Sequence, residues 1–103
     1  MIDQPVCLTL ILSRQLCDEV FDYLTEQTDL VSGFTALHGA GHGAEVRLHT
    51  AAERVKGNAD QAIVQIVLAR SDAGRLLDRL RVPFAGTKIV YWTTPVTEFG
   101  AID

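Results

Sequence analysis

At 103 residues, 48% hydrophobic and 21% charged, the chain has the apolar material for one packed domain, 1–103, and too much of it for wholesale disorder. A net charge of −4 excludes a general nucleic-acid binder and leaves no basic patch for an anionic membrane. Val6 to Leu12 is too short to span a bilayer, so no direct membrane insertion is expected. Asp3 stands where a secretory signal would carry positive charge, and Cys7 and Cys17 lack metal-knuckle or redox spacing. A cytoplasmic protein with two reduced thiols is expected.

In chain order, Val6, Leu8, Leu10 and Leu12 alternate onto one face of a first strand, with Cys7, Thr9 and Ile11 on the other. Ser13 offers a side-chain oxygen near the start of an amphipathic helix carrying Leu16, Val20, Phe21 and Leu24 on one side. Phe34 to His38 reads as a second strand, and the Ile- and Val-rich Gln61 to Ala69 as a third. Between them, Gly39 to Gly57 reads as an open connection of roughly 20 residues, which a small domain keeps only for a function such as binding. Ser71 is the expected N-cap of a second helix, where Ala73, Leu76, Leu77 and Leu80 form the stripe. Val82-Pro83 stops that helix, and Gly86 turns the chain into a fourth strand, Lys88 to Thr94, ended by Pro95.

The order βαββαβ is the α+β, ferredoxin-like arrangement: an antiparallel four-stranded sheet with two helices on one face. The second face of that sheet should be polar in a monomer. Here it carries Ile11, Ile63, Val67, and either Val90 and Trp92 or Ile89 and Tyr91, so a homo-oligomer that buries it is expected.

Several segments together resemble the PII-like signalling superfamily, and within it the domain-of-unknown-function 3240 family. They are Gly33-Phe34 before strand two, His38-Gly39-Ala40-Gly41-His42-Gly43 after it, Ala52-Glu53-Arg54-Val55-Lys56-Gly57 before strand three, and Gly86 to Val96. The resemblance implies a homotrimer with clefts between neighbours. Gly39 to Gly57, extending to about residue 60, would be its long T-loop, and Pro83 to Lys88 the short B-loop. In nucleotide-binding PII proteins these loops enclose ATP or ADP, and the T-loop docks on a protein partner. For the closer family the resemblance implies a metal-efflux transporter or its regulator as that partner. The PII turn Gly-x-Gly-Lys is here Gly86-Thr87-Lys88, and no tyrosine lies between Gly39 and Gly57, so uridylylation is not expected.

The effector candidates are Gly39, Gly41 and Gly43, whose backbone N–H groups would form an anion nest, with Gly86, Thr87 and Lys88 opposite them. An adenine nucleotide would fit that chemistry. A divalent transition metal is the alternative, held by His38, His42 and His49 in a protein of metal tolerance similar in architecture to the CutA proteins. Glu45, Arg47, Glu53, Arg54 and Lys56 are the partner-facing candidates. Thr50 and Ser32, the hydroxyls nearest a histidine, lie in no elbow or triad context, so no enzyme activity is expected.

Overall fold

The computed structural model describes residues 4–43 and 46–103. Four strands, β1 (Pro5–Ser13), β2 (Thr35–Gly41), β3 (Ala59–Ala69) and β4 (Val90–Pro95), form one antiparallel sheet in the order β2-β3-β1-β4. Helices α1 (Cys17–Glu26) and α3 (Arg70–Leu80) cover one face, and a shorter α2 (Ala51–Lys56) precedes β3. This is the expected ferredoxin-like arrangement with one added helix.

Alternation decides the sheet's two faces. In β1, Val6, Leu8, Leu10 and Leu12 are buried against Val20 and Leu24 of α1 and Ala73, Leu76 and Leu80 of α3. In β3, Ala62, Val64, Ile66 and Leu68 join them, because antiparallel register sets Leu8 opposite Ile66 and Leu10 opposite Val64. Each large aliphatic side chain removed from water here contributes about 1.5–3 kcal/mol. The two covering helices are also joined to each other. Arg79 donates to both carboxylate oxygens of Asp29 at 2.9 and 2.8 Å and to Gln27 at 2.9 Å, while the Tyr23 hydroxyl donates to the Arg79 carbonyl.

The uncovered face carries Leu37, Ile63, Ile11, Val90 and Trp92, aligned by the registers Leu37–Ile63, Ile63–Ile11 and Ile11–Val90. Leu37, Val90 and Trp92 are 51%, 55% and 47% exposed. The β1–β4 register therefore selects Val90 and Trp92, rather than Ile89 and Tyr91, for this face.

Several boundaries differ from the sequence reading. β2 continues to Gly41 rather than ending at His38, because Gly39 and Gly41 are paired with Gln61 and Ala59 of β3. The connection after it is shorter than expected and partly helical, since Thr50 and Glu53 form a reciprocal capping box that starts α2. Ala69, not Ser71, is the N-cap of α3: the chain passes from β3 into the helix without a side-chain cap. β4 begins at Val90 because Lys88 adopts φ 60°, outside strand geometry. Ser13 caps a 3-10 turn, Arg14–Leu16, that leads into α1.

Candidate functional site

A cavity of about 300 Å³ opens at the end of the sheet where β1 leaves for α1 and β4 begins. Four chain segments build it. Ser13 comes from the end of β1 and Gln15 from the 3-10 turn after it, Val46, Arg47 and His49 from the connection before α2, and Gly86, Thr87 and Lys88 from the turn before β4. Ile11, Val90 and Leu16 give it apolar walls, and Gln61 and Ala59 complete it from β3.

The turn owes its shape to Gly86. The Thr87 N–H donates to the Phe84 carbonyl at 3.3 Å and its hydroxyl to the same oxygen at 2.6 Å, with Gly86 at φ 79°. Lys88 follows at φ 60°, and among the described residues no other non-glycine residue has positive φ. A lysine held there stores roughly 1–2 kcal/mol of backbone strain, a feature that concentrates at functional sites.

Electrostatically the cavity runs against the whole chain. Two cations, Arg47 and Lys88, line it with His49, and no described carboxylate does. Neither cation has an ion-pair partner among the described residues. An anion of modest size with an apolar body matches this lining.

The segment bearing Arg47 and His49 is fixed by Glu53. Its carboxylate is buried and accepts the N–H groups of His49 at 2.6 Å, Thr50 at 3.0 Å and Asp60. The Asp60 and His49 N–H groups hold the Glu53 carboxyl below its ordinary range, against the opposing effect of desolvation. Glu53 is thus a structural anchor and not the partner-facing residue expected from sequence. Arg54 and Lys56 remain exposed, Lys56 donating to Asp60 at 2.8 Å, and Glu45 lies outside the described residues.

The glycine nest does not form as expected. Gly39 and Gly41 lie in extended β2, where their missing side chains make room for β3. A Cβ on Gly41 would meet the Gln61 side chain at 2.4 Å, and one on Gly39 would meet Ile63 at 3.2 Å. Gly43 does take positive φ, at 136°.

The three histidines are dispersed. The Arg14 guanidinium donates to Nδ1 of His38, whose Nε2 faces Asp60 at 4.0 Å; His42 follows β2, and His49 lines the cavity. Among the described residues no three His, Cys, Asp or Glu side chains are grouped to hold a metal ion. Sequence reading missed Ser13, Gln15 and Gln61 as cavity residues and α2 as a helix. The spacing Thr50-x-x-Glu53 was the available signal for the latter.

The chain thus combines a ferredoxin-like α+β fold of PII-like architecture with a cationic cavity at the sheet's end. The chain belongs to the family of proteins of unknown function DUF3240, whose model matches residues 2–103.

A DUF3240 family protein from Shewanella baltica OS155 superposes with a TM-score of 0.79 at 20% identity, over 99% of this chain and 100% of that one. CPII from Thiomonas intermedia K12, a nitrogen regulatory PII-like protein solved with ADP, AMP and bicarbonate, gives 0.69 at 18% identity, over 95% and 97%. A signalling protein from Thermus thermophilus, described as PII-like, gives 0.64 at 15%, over 93% and 91%. At these identities the shared property is the fold. No curated protein matches the chain. No helix among the described residues is long and apolar enough to cross a membrane.

Proposed function

We propose that this protein is a PII-like regulator, not an enzyme, whose whole chain acts as one unit to bind a small anionic effector, most naturally an adenine nucleotide. The observation that carries this reading is the convergence of Arg47 and the left-handed Lys88 on one cavity without a described carboxylate. The cavity of about 300 Å³ is at the small end of ligand sites. A nucleotide therefore uses it for its phosphates and part of its body, and a neighbouring copy supplies the remaining wall. The ADP and AMP bound to CPII, a protein of the same fold, support that choice.

The apolar uncovered face of the sheet supports a homo-oligomer, for which a trimer is the reading carried by the family resemblance. The segment after β2, with Arg54 and the 88%-exposed Val55 on α2, serves as the readout surface for a cytoplasmic protein partner such as a metal-efflux transporter or its regulator. An effector that orders Arg47 and His49 changes this surface only as far as it favours one loop arrangement over another. Calorimetric titration with ADP, AMP and ATP tests the reading. Saturable binding that Arg47→Ala and Lys88→Ala each weaken supports it, and absence of binding by all three nucleotides overturns it.

A further inference from the structure

After β4 the chain continues as Val96 to Asp103 without regular structure, held at its start by the Val96 N–H donating to the Pro5 carbonyl. Among the described residues nothing from Thr97 to Asp103 makes a hydrogen bond, ion pair or ring contact. Phe99 is 69% exposed and Ile102 fully so, with acidic Glu98 and Asp103 beside them. A segment carrying two large apolar side chains with no partner in its own subunit is built to cover something else.

A second hollow, about 260 Å³, lies between α3 and β4. Leu77, Leu80, Phe84 and Ile89 form its apolar walls, and the cations Arg81 and Lys88 border it. Arg81 donates to Asp78 at 2.8 Å and to the Tyr91 hydroxyl at 3.2 Å, leaving guanidinium N–H groups to spare. The hollow wants an apolar side chain flanked by a carboxylate, which is what Glu98-Phe99 offers.

We infer that the Glu98–Asp103 segment of one copy seats in this hollow of a second copy, Phe99 entering between Leu80 and Ile89 while Glu98 meets Arg81. The second copy is chosen over the same one by topology. Ile89 of the hollow stands six residues before Pro95, roughly 20 Å along the extended chain, whereas Phe99, four residues beyond Pro95, reaches back roughly 14 Å at most. The inference does not depend on what the cationic cavity binds.

The test uses the full chain with photo-reactive benzoylphenylalanine installed at Phe99, irradiated in an equal mixture of ¹⁴N- and ¹⁵N-labelled protein. Mixed-isotope cross-links to Leu77, Leu80, Phe84 or Ile89 are expected. Arg81→Glu should lower their yield by about fivefold or more, and adding Glu98→Arg should restore it. Cross-links confined to one copy, cross-links to Leu37, Val90 or Trp92 of the sheet face, or none at all would overturn the assignment. So would a yield indifferent to the charge at position 81.

Discussion

Glu53 accepts the backbone N–H of Asp60, seven residues further along, while its other oxygen accepts those of His49 and Thr50. One buried carboxylate thereby joins the segment before α2 to the start of β3. Both sides of that junction border the cationic cavity, through His49 and Ala59.

This junction makes stability acid-sensitive in a defined direction. The folded-state value of Glu53 is depressed by its N–H donors, so its contribution is present above its ordinary value of 4.5 and is lost as pH falls through the lower folded value. Asp29, depressed by hydrogen bonding from Arg79, acts in the same sense. Thermal melts between neutral pH and acid should therefore show Tm falling below pH 4.5. Glu53→Gln should give a lower Tm at neutral pH and a shallower acid slope. An unchanged slope would remove Glu53 as its source.

Thr50 supplies the other half of the capping box, accepting the Glu53 N–H at 3.0 Å. Thr50→Ala should cost about 1 kcal/mol, or roughly 4–8 °C in Tm. Glu53→Ala should lower Tm further, because it strands three N–H groups instead of one. Melts that rank the two variants the other way would contradict the assignment of Glu53 as the anchor.

At the turn before β4, strain and function should separate. Lys88 sits at φ 60°, so Lys88→Gly should leave stability unchanged or raise it by up to about 1 kcal/mol. Gly86→Ala, at φ 79°, should instead lose about 1–2 kcal/mol. Denaturant unfolding of the two variants checks both signs. If Lys88→Gly is clearly destabilising, the left-handed lysine is supported by contacts and stores no strain.

The uncovered sheet face is tested by charge. Leu37→Glu and Trp92→Glu each place a carboxylate on an exposed apolar position without touching the buried core. Sedimentation velocity at micromolar concentration should then show a wild-type oligomer and smaller species for both variants. A monomeric wild type would contradict the proposed assembly.

The strands and the two covering helices were legible because their apolar residues repeat at strand and helix periods. Val6 to Leu12 and Ala73 to Leu80 declare their buried faces without help. α2 was not, since Ala-Ala-Glu-Arg-Val-Lys has no apolar stripe and its one hydrophobic residue of size, Val55, points to solvent. It forms on the strength of its caps. The glycines after His38 read as a loop for the same reason: a period-based reading sees no side chains there. What they provide is lateral, room for Gln61 and Ile63 on the neighbouring strand.

The lining of the candidate cavity was half legible. Gly86, Thr87 and Lys88, read from sequence as effector candidates, line the cavity. Arg47 was expected to face a partner, yet it borders the same cavity as Lys88. Residues 41 positions apart meet there because β3 and β4 both begin beside the end of β1, Gln61 opposite Ser13 and Val90 opposite Ile11, a relationship that no local spacing encodes.

The central claim is that Lys88 and Arg47 form an anion site, and isothermal titration of ADP into wild-type protein and Lys88→Ala measures it most directly. Losing a charged contact to phosphate should weaken binding by about 10- to 100-fold. Lys88→Ala should at the same time fold with wild-type cooperativity. Equal affinity in the two proteins would contradict the account.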